Sequence, residues 1–460
     1  MNYADDTIAA ISTPVGHGGI GIVRMSGQGS LPLADKVFKP SKKANVAEAK
    51  AFSIMHGHIV DPGSGEEIDE ALVSVMRAPN SYTRENVVEI NCHGGMVAVR
   101  RILGIVLEHG ARLAEPGEFT KRAFLNGRIN LTQAEAVMDL ISARTDESMK
   151  VAADQLRGCL SERLAALRDA LLEICAHAEA YIDFPEEEIE AGTSEEMVGR
   201  LAKIAEETGR LARTFDEARF FREGLSVAIV GRPNVGKSSL LNNLLQRERA
   251  IVTAIPGTTR DTIEEYLNIN GLPVRIVDTA GIRSSNQAVE REGIKRSIEA
   301  LEEADFVIGM LDGSEAMKDE DRDILERIKE KNAVIAINKS DLPGVINLDG
   351  GVLHDKKHIF ISAKKGEGVE ELKSLIFQSN LGNWKEDREG IIVTNVRHKL
   401  ALDRVSAALL RAVETLRTDQ PLEIFAIEMR DALDGVGEIT GDVTTEELLN
   451  KIFSDFCIGK

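Results

Sequence analysis

Residues 231–238 read GRPNVGKS and directly follow the apolar run Val227–Val230. That succession obliges the chain to leave a buried strand, curl through a glycine-containing loop and open a helix at Ser238-Ser239-Leu240-Leu241, the local signature of a doubly wound α/β sheet. Gly231 and Gly236 let the backbone turn its N–H groups inward, Lys237 supplies a point charge, and Ser238 offers a hydroxyl to Mg²⁺. The new helix adds the partial positive charge of its N-terminus. The loop is therefore expected to cradle phosphates.

Three further elements follow in order: DTAG at 278–281, NKSD at 338–341 and SAK at 362–364. Asp278 ends a second apolar run, Val274–Val277, from which its carboxylate reaches the Mg²⁺ shell, while Gly281 can give its N–H to a γ-phosphate; the segment is a candidate switch. Asp341 can accept from both the ring N–H and the exocyclic amine of guanine. Adenine lacks that donor pair, so GTP is favoured over ATP. The expected GTP site comprises Asn234, Val235, Gly236, Lys237, Ser238 and Ser239 from the first loop. It continues through Thr253, Ala254, Ile255, Pro256, Gly257, Thr258 and Thr259, then Asp278, Thr279, Ala280 and Gly281. Asn338, Lys339, Asp341, Ser362, Ala363 and Lys364 complete it.

Two departures shape the expected mechanism. Small GTPases place a water-orienting glutamine after the DxxG glycine, but Ile282 stands here and cannot serve. Glu290 is a candidate substitute; a solvated glutamate at a helix start is the competing reading. At the position of the first switch lies the threonine-rich run Ile251–Asp261, in which Thr259 can ligate Mg²⁺. Asn234 can offer a carbonyl oxygen to a monovalent cation that neutralises charge in place of an arginine finger, or it can simply serve the turn.

At 460 residues the chain exceeds one ordinary core, and about three domains are expected. Residues 1–120 carry short β-like runs (Ile8–Ile11, Ile20–Val23, Ala71–Val75, Val87–Ile90) and form an α/β domain. Residues 121–222 are helical, with a break at Asp183-Phe184-Pro185. Residues 223–380 hold the G domain, and 381–460 return to helix. In that last part Leu402, Val405, Leu409, Ala412, Val413 and Leu416 form a core stripe, and Thr444–Glu447 reads as a capping box. Helices on both sides of a complete nucleotide domain imply that the G domain is inserted into a helical one.

No apolar run is long enough for a membrane span, and the acidic N-terminus is unlike a signal peptide, so a cytoplasmic protein is expected. The four cysteines (Cys92, Cys159, Cys175, Cys457) lack zinc-like spacing. A net charge of −19 disfavours a chain that grips RNA alone, since phosphate contacts call for a basic surface.

In the first domain, NCHGG (91–95) ends a strand in a two-glycine turn, and EPGEFTKRAFLNGR (115–128) sets charges around Phe119 and Phe124, as if lining a ligand pocket. Cys92 and His93 face opposite ways on a strand and make a poor thiol–base pair. His56 and His58 share a face but show no third metal ligand. Cys457, three residues from the last, has the sequence character of a small buried hydrophobe more than of a reagent.

GIGIVR at 19–24, NCHGG, EPGEFTKRAFLNG, GRPNVGKSS, GTTRD and the terminal CIGK together resemble the MnmE (TrmE) family of tRNA-modifying GTPases over the whole chain. The resemblance implies an N-terminal domain similar to folate-binding aminomethyltransferase domains, a helical domain with an inserted G domain, and a homodimer. It implies a complex with the flavoprotein MnmG (GidA), which brings FAD and shares the tRNA. Together they would modify C5 of wobble uridine 34 to an aminomethyl or carboxymethylaminomethyl form. The one-carbon unit would come from a tetrahydrofolate derivative (5,10-methylene- or 5-formyl-tetrahydrofolate). By the same resemblance Asn234, Thr253, Ile255 and Thr258 hold K⁺, Ser238 and Thr259 hold Mg²⁺, and Glu290 orients water. Arg24, Glu89, Arg128 and Lys460 contact folate, with Arg128 standing where some relatives have lysine, and Cys457 is linked to the modification. The competing readings are a GTP-dependent RNA-binding or ribosome-assembly switch of the Era or Der kind, which would carry a basic RNA-binding module or second G domain not seen here, and a folate scaffold with a vestigial GTPase.

Overall fold

The computed structural model describes residues 6–14, 16–183, 194–248, 266–277, 301–346, 356–382, 391–418 and 420–460. The chain divides into two compact units, one of residues up to 138 joined by 437–460, the other of residues between them.

The first unit is built on seven strands: β1 (Ile8–Ile11), β2 (Ile20–Ser26), β3 (Phe38–Pro40), β4 (Ser53–Val60), β5 (Glu67–Met76), β6 (Val87–His93) and β7 (Arg112–Leu113). They lie in the order β3-β4-β5-β6-β2-β1-β7, antiparallel except where β1 meets β7. Alternation decides the faces: Val23 and Met25 on β2 and Val88, Ile90 and Cys92 on β6 point to a core sealed by helix Met96–Glu108 through Val99, Ile102, Ile105 and Val106.

The charges of helix Glu118–Leu125 serve the fold instead of lining a pocket. Arg122, 2% exposed, is paired with Asp6, Glu85 and Glu118, and Glu118 also takes Arg112. Buried ions persist only when paired, and here each has a partner. Lys121 donates to Asn450 at 2.8 Å. Helix Glu118–Leu125 thus receives the end of the chain, where Leu449, Phe453 and Phe456 pack with Leu131 and Ala134. Gly117 has φ +65 and lies so close to Phe453 and Phe456 that a Cβ would stand 2.8 Å from the Phe456 side chain. The last helix, Glu446–Ser454, starts from Thr445, whose hydroxyl accepts from Leu448 N at 3.2 Å. The cap therefore falls one residue later than expected and the capping box is not formed: position N3 is Leu448, which cannot reach back as a glutamate would.

The second unit centres on β8 (Leu225–Val230), β9 (Tyr266–Ile269), β10 (Leu272–Val277), β11 (Phe306–Asp312), β12 (Ala333–Asn338) and β13 (His358–Phe360). Their order is β13-β12-β11-β8-β10-β9, parallel but for β9. Every residue of β8 is buried, as a central strand covered on both faces requires. Helix Val396–Arg417, after this sheet in sequence, packs along helix Ser194–Arg213, before it. Its stripe of Leu402, Val405, Leu409, Ala412 and Val413 is buried, with Leu416 half-buried at the end. The multidomain α/β and helical class expected from the sequence is the one observed.

One helix ties the two parts of this unit together. Thr145 caps helix Asp146–Arg157 by accepting from Ser148 N at 3.2 Å, and its hydroxyl also donates to Gly271 O, 2.7 Å away at the β9–β10 turn. Arg144 lies 3.3 Å from the centroid of the Tyr266 ring. Truncating the buried anchor of the terminal helix, Phe453→Ala, should cost about 3 kcal/mol of stability in the first unit by cavity formation. Chemical denaturation followed by circular dichroism would show it as an earlier transition; an unchanged midpoint would mean the helix end is not held by this ring.

Candidate functional site

β8 lies between β10 and β11, so the sheet order reverses beside it and a crevice opens at its carboxyl end. The first, third and fourth sequence elements leave the carboxyl ends of β8, β12 and β13. Asn234 adopts φ +63 and Gly236 φ +104, left-handed conformations that turn successive N–H groups toward the loop interior. A Cβ on Gly236 would lie 2.2 Å from Asn338 Nδ2, so only glycine fits. Lys237 opens helix Lys237–Glu248; its ammonium donates to Gly231 O at 2.6 Å and Arg232 O at 3.0 Å, and burial lowers its pKa. A desolvated ammonium held by backbone carbonyls at the start of a helix is the environment an anion relieves.

Asn338 joins three motifs. It is 4% exposed, donates through Nδ2 to Val235 O at 2.6 Å and accepts through Oδ1 from Ala363 N at 2.9 Å. Ser362 donates its hydroxyl to Asp341 Oδ1 at 2.8 Å, which lowers the Asp341 pKa and keeps an exposed carboxylate ionised. Asn234, Ser238 and Ser239 are exposed, and Lys364 follows Ala363. The structure thus assembles the first, third and fourth elements into one site. Thr253 to Thr259, Asp278 to Gly281 and Glu290 lie outside the described residues. Sequence reading missed Asp312 at the end of β11, whose oxygen accepts from Lys339 Nζ. Its only sequence signal was an acid closing an apolar strand.

The other predicted residues gather in the first unit. Arg24 and Glu89 are directly opposite on β2 and β6, joined by Nε–Oε1 at 2.8 Å. Arg24 also donates from Nη1 to Gly459 O at 3.2 Å, as does the Ser12 hydroxyl at 3.2 Å. Lys460 beside them has its pKa lowered, first by burial and then by Arg24. Arg128 is exposed and stacks on Tyr82, 4.7 Å from its centroid; Tyr82 packs against the cluster containing Phe119, over which Arg24 sits at 5.7 Å. Arg24, Glu89 and Lys460 are therefore one group, and Arg128 reaches it only through two rings. Cys457 is half-buried and accepts through its carbonyl from Gly117 N at 3.4 Å.

Cys92 and His93 diverge as strand geometry demands. Cys92 faces the core and burial pushes its thiol up to about 11, while exposed His93 is paired with Asp69 at 2.7 Å. His56 and His58 share a face but are taken by Glu70 and Glu67, and among the described residues no group of acids, cysteines and histidines is arranged to hold a metal.

Comparison with known proteins decides the family. Residues 131–457 match the model of the MnmE helical domain, and residues 7–128 match that of the GTP-binding protein TrmE N-terminus. The chain belongs to the MnmE family of tRNA modification GTPases. The tRNA modification GTPase MnmE of Alkaliphilus oremlandii is 46% identical over 460 residues, covering 100% of both chains. That of Geobacter sulfurreducens is 47% identical over the same 460 residues, again covering 100% of each. Part of the chain also resembles a crystal structure of Aquifex aeolicus Era bound to GDP·AlF4⁻, 29% identical over 40% of this chain and 66% of that chain, with a TM-score of 0.26. As a member of the MnmE family the chain is a GTP-hydrolysing enzyme.

Gly236→Ala should reduce GTP affinity on the order of hundredfold, because the added methyl displaces Asn338 and the backbone cannot keep a left-handed turn. Isothermal titration calorimetry checks this; near-normal affinity would show that the loop tolerates another conformation.

Proposed function

We propose that the chain is a potassium-stimulated GTPase whose nucleotide cycle controls the modification of C5 of wobble uridine 34 in tRNA, carried out with the flavoprotein MnmG. GTP is bound by the loop from Asn234 to Ser239, its base read by Asp341, with Ser238, Thr259 and Asp278 holding Mg²⁺. Asn234, Thr253, Ile255 and Thr258 hold K⁺, and Glu290 orients the attacking water in place of the aliphatic Ile282. K⁺ here offsets the charge that develops between β- and γ-phosphates. A second copy of the chain completes the dimer, and MnmG supplies FAD and most of the basic surface that a chain of net charge −19 lacks.

The observation that carries the modification half of this reading is the seating of Gly459 on Arg24. It brings the CIGK end to Arg24 and Glu89 and sets two cations, Arg24 and Lys460, close enough that one depresses the other. Such a cluster favours an anion, and the glutamate tail of a folate is one, while the free Glu89 oxygen suits the paired donors of a pterin. The residues therefore fit a tetrahydrofolate, held by Arg24, Glu89 and Lys460 with Arg128 at the margin. Bound there, it would supply a one-carbon unit; Cys457 lies two residues from Gly459 and acts in the modification. The family's relatives carry the tRNA modification name over their full length, and this favours the reading over a ribosome-assembly switch. A cytoplasmic location follows from the substrate, and no described helix is long and apolar enough to cross a membrane.

GTP hydrolysis should rise by about tenfold when K⁺ replaces Na⁺ and should increase with protein concentration if G domains pair. A phosphate-release assay giving equal rates in both salts would remove the Asn234 assignment. Cys457→Ser should abolish wobble-uridine modification, read by mass spectrometry of tRNA nucleosides, while GTP hydrolysis stays within about twofold. Wild-type modification by that variant would reduce Cys457 to a packing residue.

A further inference from the structure

Asp312 closes β11, is 3% exposed, and faces both nucleotide loops at once. Its Oδ2 accepts from Lys339 Nζ and stands 3.9 Å from Arg232 Nη2; its Oδ1 accepts from the backbone and hydroxyl of Ser314 at 3.0 and 2.7 Å. Arg232, inside the phosphate loop, is also held by Glu315 at 2.7 Å and lies 3.2 Å from Asp321, and its carbonyl receives Lys237 at 3.0 Å. Lys339, inside the base-reading loop, sits at φ +66, a conformation that costs a side-chain-bearing residue energy unless something holds it. The buried carboxylate of Asp312 supplies that hold.

The base-reading loop is thus fastened at three residues, each by its own partners. Asn338 is fixed by Val235 O and Ala363 N, Lys339 by Asp312, and Asp341 by Ser362. Since Asp341 has its own clamp, releasing Lys339 leaves the carboxylate that meets the exocyclic amine where it was.

We infer that Asp312 is a positioning residue for nucleotide binding, acting through Lys339 to set affinity independently of guanine selectivity, which Ser362 sets through Asp341. The carboxylate is buried while the Lys339 side chain is 32% exposed, so solvent screens the pair only from one side, and Asp312 faces both loops. The inference rests on this crevice binding GTP.

The test measures GTP and inosine triphosphate affinities of the full-length protein by calorimetry, because inosine lacks the amine that Asp341 reads. Asp312→Asn should weaken both nucleotides by the same factor, about tenfold for one lost charge-assisted bond, raising KM and leaving kcat at saturation within about twofold. Ser362→Ala should weaken GTP more than inosine triphosphate, which keeps the ring N–H that Asp341 also reads but lacks the amine. On a Lys339→Met background Asp312→Asn should add nothing. A loss confined to GTP, an undiminished loss on the Lys339→Met background, or unchanged affinities would each overturn the inference. If Asp312→Asn does not fold, Lys339→Met alone carries the test and must weaken both nucleotides equally; unequal loss overturns it. Wild-type protein that failed to bind GTP would sink the site itself, a separate outcome.

Discussion

The nucleotide crevice depends on one buried side chain, the amide of Asn338. Its two ends are a donor and an acceptor, and both are used within 3 Å: one on the phosphate loop at Val235, the other on the last motif at Ala363. An amide shielded from water cannot leave either end unmade without a cost of about 1–3 kcal/mol. Segments more than a hundred residues apart in sequence are thereby held in one geometry. The glycine at 236 follows from it, since the amide occupies the space any Cβ would take. Around this bridge stand the charged residues: Lys237 inside the loop, Asp341 held by Ser362, and Asp312 against Lys339.

The first unit is organised by a different constraint, the return of the chain end. Phe453 and Phe456 pack beside Gly117, Lys121 reaches Asn450, and the final turn carries Gly459 onto Arg24. A Cβ on Gly459, which has φ +95, would come within 2.3 Å of Ile11 O, so the close approach needs glycine twice over. The charges of helix Glu118–Leu125 are spent on holding Asp6, Glu85 and Arg112, which keeps the strand ends under the terminal turn in place. Packing that looked like pocket lining is the foundation on which the terminal turn rests.

Much of the nucleotide site was legible in sequence because its chemistry is local: a phosphate loop must be strand, glycine turn and helix, and those eight residues say so. Arg24 and Glu89 were legible only through family resemblance, since 65 residues separate them and nothing in either neighbourhood announces the other. Asp312 was missed for the same reason. An aspartate after a buried strand looks like an ordinary strand end until Lys339 is found against it. The capping of the last helix was misread by one residue, as two successive threonines offer equivalent hydroxyls and only the backbone angle selects Thr445.

Sequence alone determined the doubly wound sheet, the preference for guanine, the absence of a water-orienting glutamine at Ile282 and the helical segments on either side of the G domain. These follow from spacing along the chain, where the period of apolar residues and the position of glycines act over a few residues. Tertiary structure decided which distant groups share a site: Asn338 with Val235 and Ala363, Lys339 with Asp312, Gly459 with Arg24. Such pairings rest on strand order and on chain ends brought together by buried aromatic rings, and no periodicity in the sequence encodes a distance across space.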